Sequence, residues 1–221
     1  MVTPPSIVSL NVGRPQSRGH DGAADPLDQP WTSGIFKAPV DGPVALTPTG
    51  VEGDGQADLA VHGGPDKAVC AYAADHYPAW RSELGLPGFS VGAFGENLSI
   101  GGLDEQMVCV GDVWAIGEVV VQVSQPRQPC WKLGRKWRMP AFPDRVVKSG
   151  RTGWYFRVRR PGPVTVGAVL VLVERPHPEW TIAAANAVMH QRVGDTAALA
   201  LLPELAASWR ATLQKRLAAG G

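Results

Sequence analysis

Cys130 lies in a sequence setting that favours chemistry at its thiol. Pro126 and Pro129 precede it and predict a stiff loop that leaves a strand at Val119–Val123. Three cationic side chains flank it along the chain: Arg127, Lys132 and Arg135. Positive charge favours the thiolate, which is the form that ligates metals. From these residues alone, a metal ligand and a structural loop cysteine both remain open.

A second group of residues, His62 to Lys67, could bind an anion. Gly63 and Gly64 would let the backbone approach a ligand closely, and they lead into a predicted helix over Pro65–Trp80. A helix N-terminus attracts anions, Lys67 adds a mobile charge, and His62 could hydrogen-bond a ligand or its phosphate. A tight loop followed by the start of a helix is the alternative interpretation.

Other polar residues give weaker indications. Gly95 predicts a sharp turn in which Glu96 and Asn97 could meet the edge of a heterocycle, although a plain turn has the same pattern. Arg14 and Lys37 lie near short apolar runs and could contact a phosphate. Ordinary surface charge is the alternative for both.

The other two cysteines are predicted to be buried and inert. Cys70 falls inside the predicted helix, and Cys109 falls in an apolar, strand-like run. The chain has no C-x-x-C pair, no phosphate loop ending in Gly-Lys-Ser/Thr and no G-x-G-x-x-G between a strand and a helix. A cysteine hydrolase built from Cys130 and His62 would lack a local signature. Zinc ribbons, thioredoxin-like chemistry and nucleotide loops are therefore disfavoured.

Composition and charge narrow the class of protein. Charged residues make up 19% of the 221 residues and the formal net charge is +1, which argues against a nucleic-acid partner. No run of about 18 apolar residues is present, so no membrane-spanning helix is expected. The first residues lack the charged and apolar regions of a secretory signal, and the 3 cysteines do not suggest a disulfide framework. We therefore expect a cytoplasmic protein without nucleic-acid or membrane partners.

The elements that must position these residues are mostly short strands up to Pro176. Glycine (26) and proline (20) divide this part into short runs, several of them alternating or β-branched. The predicted strands are Ile7–Val12, Val44–Thr47, Val108–Val110, Val119–Val123, Tyr155–Val158 and Val164–Val173. Regularly spaced short strands between turn signals favour a barrel or a sandwich.

After Pro176 the sequence becomes rich in alanine and leucine. Thr181–His190 predicts one helix, Asp195 can cap a second helix that runs to about Leu202, and Pro203 opens a third. The apolar face of this third helix consists of Leu205, Trp209, Leu213 and Leu217. The chain is thus predicted to have a β-rich domain over residues 1–176 and a helical domain over 177–221.

Five motifs, taken in order, resemble the MOSC domain (molybdenum cofactor sulfurase C-terminal domain). They are Val51–Asp58, Val61–Val69, Phe94–Leu98, Val110–Asp112 and Ser124–Leu133. Their order and spacing are similar to those of the bacterial YiiM-like branch, and Gly150–Gly162 continues the similarity. The tail from Pro178 resembles the small three-helix appendage of that branch.

The resemblance implies a fold and a cofactor. The fold is mainly β with α: a MOSC-type β-barrel with a surface helix, followed by a small C-terminal three-helix domain. The cofactor is molybdenum-molybdopterin, with Cys130 as the catalytic residue and the protein's ligand to the metal. The implied contacts to the pterin or its phosphate are His62, Gly63, Gly64, Lys67, Asn97, Ser124 and Arg127. Arg14 and Lys37 are weaker candidates because they lie outside the best-matched motifs.

The resemblance also implies an activity, the reduction of N–O bonds to amines. The expected substrates are N-hydroxylated purines, hydroxylamines and amidoximes, and the purines imply a role in 6-N-hydroxylaminopurine detoxification. Three cysteines cannot hold an ordinary four-cysteine iron–sulfur cluster, so electrons are expected from a separate flavin or iron–sulfur reductase. Two alternatives remain: a sulfur-transfer protein that carries a persulfide on Cys130, and a non-catalytic carrier of the cofactor. The helical tail could also serve as a partner-docking module.

Overall fold

The computed structural model describes residues 3–220 as a strand-rich body followed by helices. The strands are β1 Ser6–Val12, β2 Gln16–Arg18, β3 Trp31–Ser33, β4 Ala38–Pro39, β5 Val44–Thr47, β6 Gly50–Val51, β7 Val69–Ala73, β8 Leu98–Gly101, β9 Val113–Ile116, β10 Val119–Pro126, β11 Trp154–Arg160, β12 Gly162–Val164 and β13 Leu170–Glu174. The α-helices are α1 Tyr77–Leu84, α2 Trp131–Lys136, α3 Phe142–Ser149, α4 Ile182–Asn186, α5 Thr196–Leu201 and α6 Ala207–Ala218. The predicted mainly-β class with a helical tail is confirmed.

Eight of these strands form one curled sheet, in the order β13-β9-β10-β11-β7-β8-β1-β4. Neighbouring strands are antiparallel except β7 and β8, which are parallel. The sheet curls until β1 meets the start of β13: Ser6 bridges to Val169, and the Leu170 N–H donates to the Pro5 carbonyl at 2.8 Å. This closure satisfies backbone groups that an open edge would leave unpaired.

Most of the predicted strands are confirmed, and one of them is wrong. Val44–Thr47 forms β5 with the predicted bounds, while Val164–Val173 is interrupted by a turn at Gly167. Val108–Val110 is not a strand. Its backbone follows a turn in which the Asp112 carboxylate accepts a hydrogen bond from the Cys109 N–H at 2.9 Å. A local side-chain acceptor here competes with a sheet ladder.

The predicted helix over Pro65–Trp80 is also wrong. The chain makes a 3₁₀ turn at Pro65–Lys67, then strand β7, then a second 3₁₀ turn before α1. All five residues of β7 are buried, because β7 pairs with β8 on one side and β11 on the other. A strand buried on both faces has no polar alternation, so its apolar run resembles a helix. Cys70 therefore lies in a strand, not in a helix.

The helical tail follows the prediction with one shifted boundary. Helix α4 continues as a π-helical turn over Ala187–Gln191, and Asp195 caps α5 by accepting from the Ala198 N–H at 2.9 Å. Helix α6 begins at Ala207 rather than Pro203, because Pro203 and the next two residues form a turn and a bend. Of the predicted apolar face, Leu217 is 41% exposed and the other three residues are buried.

Two apolar clusters hold these elements together. The larger one contains barrel residues such as Val108 and Val121 together with tail residues such as Ile182 and Trp209. The smaller one is aromatic and lies between the strands and helices α1 to α3, with Tyr72 stacked on Phe94 at 4.1 Å. The division at residues 176 and 177 stays a prediction. Among residues 3–220, no helix combines the length and apolarity that a membrane crossing requires.

Candidate cofactor site

A cleft on one side of the barrel brings together loops from distant parts of the chain. Counting its open mouth, the cleft holds about 680 Å³ of space free of protein atoms. Among the predicted metal ligand and cofactor contacts, those that line the cleft are Lys37, His62, Gly63, Lys67, Asn97, Arg127 and Cys130. A cavity beside Cys130 is what the cofactor interpretation requires.

Cys130 is held at this cleft by the helix that follows it. It is the residue before α2, with extended backbone angles, and its carbonyl accepts a hydrogen bond from the Leu133 N–H at 3.0 Å. Leu133 is fully buried in the aromatic cluster and anchors α2. Cys130 is half-buried as a residue, and its thiol forms no disulfide. It is therefore fixed in position and still accessible from the cleft.

Arg127 is the buried cation of the cleft. Its residue is 7% exposed, and Nη2 donates to the Phe94 carbonyl at 2.6 Å. The second nitrogen, Nη1, is buried and has no hydrogen-bond partner among residues 3–220. Burial opposes its charge, but an arginine guanidinium keeps its proton at neutral pH even when it is buried. A charged guanidinium with a free donor thus lines the cleft.

The loop of residues 62–67, which we name the cavity loop, adds two more basic groups. Its glycines, Gly63 and Gly64, both have positive φ (80° and 77°), a conformation that favours glycine. Burial, followed by repulsion from Lys132 and Lys67, lowers the pKa of His62, so the imidazole is neutral at neutral pH. Burial also lowers the pKa of Lys67, whose Nζ donates to the Val61 carbonyl at 2.8 Å.

Asp54 neutralises part of this positive charge. Its carboxylate forms a buried ion pair with Lys37 and accepts from the Gly13 N–H at 2.9 Å. The Asn97 side chain donates to the same carboxylate at 3.0 Å, and its oxygen accepts from the Cys70 N–H at 3.1 Å. Lys37 and Asn97 line the cleft, but their polar groups are already engaged with the protein.

Three predicted contacts lie outside the cleft. Arg14 is exposed on the surface, and Gly64 precedes the 3₁₀ turn without lining the cavity. Ser124 is fully buried, and its hydroxyl donates to the Asp66 carbonyl at 2.5 Å, with the Tyr155 carbonyl as a second acceptor within reach at 3.1 Å. Its placement does not support a cofactor contact, because the hydroxyl is engaged by the backbone. The cavity loop also starts no true helix, so the helix-dipole argument for an anion is lost.

Several lining residues were missed by sequence reasoning. Cys70 and Tyr155 face each other in register across β7 and β11, and both line the cleft. Burial is the main cause that raises the pKa of each, so both stay protonated at neutral pH. Strand pairing brings them to the site, and no local motif indicates it. Asp54 lies within Val51–Asp58, one of the motifs that resemble the family, and this motif could have indicated it as a site residue.

Three aromatic rings form a rim next to the cleft. This aromatic rim consists of Trp31, Phe36 and Trp131, with ring centroids 5.5 Å apart for Trp31 and Phe36 and 5.9 Å apart for Trp31 and Trp131. Trp131 directly follows Cys130 and is 56% exposed, and the Arg135 guanidinium lies 5.0 Å from its ring centroid. An exposed ring such as that of Trp131 can stack on a planar ligand.

With this geometry in place, comparison with known proteins identifies the class. The chain belongs to the MOSC domain family: the profile of the MOSC domain matches residues 58–171, and that of the YiiM-like, 3-alpha helix domain matches residues 180–220. "Protein YiiM" of Escherichia coli (strain K12) is 41% identical over 192 residues, covering 85% of this chain and 86% of that protein. "Uncharacterized protein YflK" of Bacillus subtilis (strain 168) is 46% identical over 214 residues, covering 96% and 94%.

Solved structures agree with this assignment. The crystal structure of YiiM from Geobacillus stearothermophilus superposes with a TM-score of 0.78 at 42% identity, covering 97% of this chain and 100% of that one. YiiM from Escherichia coli gives 0.74 at 36% identity, covering 86% and 92%. A protein named "Reductase" from Gibberella moniliformis is 40% identical over 164 residues, which is 73% of this chain but 29% of that protein.

Proposed function

We propose that the chain binds a molybdenum-pterin cofactor in the cleft and reduces N-hydroxylated compounds with it. The observation that carries this proposal is the buried Arg127 guanidinium: Arg127 lines the same cavity as Cys130, and its Nη1 has no hydrogen-bond partner among residues 3–220. A buried guanidinium without an ion-pair partner costs on the order of several kcal/mol, so an anionic ligand would remove a penalty that the protein otherwise bears. Family membership supports the same ligand, since MOSC domains are associated with the molybdenum cofactor.

The residues of the cleft fit the chemical character of this cofactor. The soft thiolate of Cys130 suits a metal that already carries sulfur ligands. Among residues 3–220, no group of three or more His, Cys, Asp or Glu side chains could hold a metal ion by itself. A metal held by Cys130 would need its other ligands from the pterin. When bound, the cofactor would supply the two-electron redox chemistry.

The remaining residues would bind the organic part and orient the substrate. Arg127, Lys67 and Lys132 would face its phosphate, and neutral His62 could donate one further hydrogen bond. Tyr155 keeps its proton at neutral pH, so its hydroxyl could donate to the oxygen of an N-hydroxyl group. A planar substrate, such as an N-hydroxylated purine or an amidoxime, would enter past Trp131 of the aromatic rim.

Electrons would come from a separate protein. Cys109 lies in a turn near Pro178, apart from the cleft that Cys70 and Cys130 line, so the cysteines do not form one cluster site. A flavin or iron–sulfur reductase is the proposed donor. The protein would act in the cytoplasm on small molecules.

Replacing Cys130 tests the proposal directly. Wild type, Cys130→Ala and a control, Cys109→Ala, would be produced in a host that makes the cofactor. We expect Cys130→Ala to lose reductase activity and to lose or hold molybdenum weakly, while circular dichroism stays unchanged because the residue is half-buried. Cys109→Ala should keep both metal and activity. Unchanged reduction rates in Cys130→Ala would end the proposal.

The same samples separate the two alternatives. A metal-free protein with cyanide-labile sulfur on Cys130 would identify a persulfide carrier. A protein that holds the cofactor but turns over no N-hydroxylated substrate, with a competent donor present, would identify a cofactor carrier. Both results would contradict the reductase.

A further inference from the structure

Asp66 connects the cavity loop to the last helix of the chain. It precedes Lys67 in the loop, but its carboxylate accepts hydrogen bonds from α6 and from a strand residue next to it. Oδ2 accepts a hydrogen bond from the Ala207 N–H at 2.9 Å, and Oδ1 accepts one from Arg157 Nε at 2.6 Å. The side chains of Asp66 and Arg157 are 33% and 21% exposed. One carboxylate thus joins two segments that are 141 residues apart.

Helix α6 lacks a cap of its own and obtains one from Asp66. The residue before its first turn is Ala206, which has no side-chain acceptor. The other tail helices are capped locally, α4 by the Thr181 hydroxyl (3.0 Å) and α5 by the Asp195 carboxylate (2.9 Å). A carboxylate at a helix N-terminus satisfies a free N–H and favours the helix dipole. The 12-residue helix α6 therefore depends on a cap supplied by the cavity loop.

The cavity loop in turn depends on α6 for its position. Apart from Asp66, the loop is held by a hydrogen bond from the His62 N–H to the Asp58 carbonyl (2.9 Å) and by the buried strand β7 that follows it. Leu59 and Val61, just before it, are 77% and 53% exposed. Asp66 is held at its side chain by α6 and Arg157, and at its carbonyl by the Ser124 hydroxyl. Arg157 in turn donates to the Glu204 carbonyl next to α6.

Ionisation of Asp66 agrees with this role. Burial works against the charge, but the hydrogen bonds from Arg157 and the Ala207 N–H outweigh it and hold the pKa of Asp66 below its ordinary value. The carboxylate is therefore charged at neutral pH. Asp66 does not line the cleft, whereas its neighbours His62 and Lys67 do.

We propose that Asp66 is a positioning residue through which the C-terminal helices hold His62 and Lys67 against the cleft. The tail then has a role in ligand retention without contacting the ligand. The inference rests on the proposed function only for the identity of that ligand.

The test compares the loss of this cap with the loss of an ordinary one. Asp66→Ala removes the link, and Asp66→Ala with Ala206→Ser gives α6 a local cap without restoring the link to the loop. Asp195→Ala is the matched control, because it removes the α5 cap with no contact to the cavity loop. Hydrogen exchange of the ligand-free proteins and molybdenum retention during dialysis are the two readouts.

We expect Asp66→Ala to speed exchange in both the cavity loop and the first turn of α6 by about fivefold or more, the usual consequence of losing a cap. Adding Ala206→Ser should restore α6 but leave the loop fast and molybdenum weakly retained. Asp195→Ala should affect α5 alone. If Asp66→Ala does not fold, Asp66→Asn, which keeps an acceptor but loses the charge, replaces it in both comparisons.

Two results would overturn the inference. One is a cavity loop whose exchange is unchanged in the Asp66 variant. The other is a full return of loop exchange and metal retention on adding Ala206→Ser, because Asp66 would then be a helix cap only. If the loop loosens as expected but the wild type never holds molybdenum, the proposed function fails while the positioning role stands.

Discussion

At the cleft, Lys37 is paired with Asp54, but three other cations have no carboxylate partner among residues 3–220. Arg127, Lys67 and Lys132 form no ion pair with a carboxylate among residues 3–220, whereas Arg138, Arg157 and Arg175 all do. Burial and mutual repulsion lower the pKa of His62 in the same region. Such an arrangement reduces stability in the ligand-free protein, and binding sites are where proteins retain it.

Arg127→Met should separate binding from stability. The substitution removes a buried charge whose Nη1 has no partner in the described structure and keeps much of the side-chain volume. We expect the ligand-free variant to melt within a few degrees of wild type, because removing the buried charge offsets the loss of the hydrogen bond from Nη2 to the Phe94 carbonyl. Molybdenum content should fall at least about tenfold because the anion loses its buried partner. Differential scanning calorimetry and metal analysis measure the two effects.

Arg175→Met serves as the contrasting variant. Arg175 bonds both oxygens of Asp112, at 2.8 and 2.7 Å, and the Asp112 side chain is fully buried. Its removal strands a buried carboxylate and should cost roughly 3 kcal/mol of unfolding free energy while leaving the cleft intact. Equal destabilisation of the two variants would show that Arg127 is a structural residue rather than a ligand-binding one.

Sequence reasoning found the residues that lie in local motifs and missed those that strand pairing brings in. Cys130, His62, Lys67 and Arg127 could be predicted to lie together because each lies in a quoted motif. The Cys70 and Tyr155 side chains reach the cleft only through the register of β7 and β11, which no local pattern encodes. The cofactor contacts predicted for Cys130, His62, Lys67 and Arg127 stay predictions.

At the scale of elements, the helix–strand ambiguity of Pro65–Trp80 has a physical origin. Val69, Tyr72, His76 and Trp80 recur at helical spacing, and a proline at the start fits a helix equally well. Strand β7 forms because it supplies ladder partners to both β8 and β11. Because pairing with distant strands determines the structure here, a pattern within sixteen residues could not predict it.

The tail helices contain a histidine whose burial should make the protein sensitive to acid. His190, in the π-helical turn, packs its ring edge-on against Trp209 of α6, and its buried Nε2 has no partner among residues 3–220. Burial, together with Arg216, lowers the pKa of His190 in the folded protein. The unfolded chain then binds more protons, so the free energy of unfolding falls as pH drops through about 6.5.

His190→Phe should reduce this loss while keeping the ring contact. We expect a smaller fall in melting temperature between about pH 7.5 and about pH 5.5 than in wild type, because the variant has no proton to take up on unfolding at this position. His62 contributes in the same direction, so part of the acid loss remains. His20→Asn, at an exposed position, is the control and should follow wild type. A wild-type acid profile in His190→Phe would contradict the prediction.

At the scale of the whole molecule, the barrel and the tail share one core. Trp180, Ile182, Leu205 and Trp209 belong to the same apolar cluster as the barrel strands. Three backbone hydrogen bonds also join the barrel to the tail. The Val110 N–H donates to the Trp180 carbonyl (2.8 Å), and the Ile182 N–H donates to the Val108 carbonyl (2.8 Å). The Ala206 N–H donates to the Ser124 carbonyl (2.9 Å). The sequence predicted two domains by composition, and it contained no signal of this shared packing.

Shared packing predicts that the chain unfolds as one unit. Residues that bury the same surface lose their contacts together, so calorimetric and van't Hoff enthalpies should agree, and far-ultraviolet circular dichroism and tryptophan fluorescence should report one midpoint. A chain ending at Pro176 would expose Val108, Val110 and Ser124, and should bind a hydrophobic dye and aggregate rather than fold. Two separated transitions, or a truncated chain that melts cooperatively, would instead mean that the barrel is stable alone and that Asp66 joins two independent units.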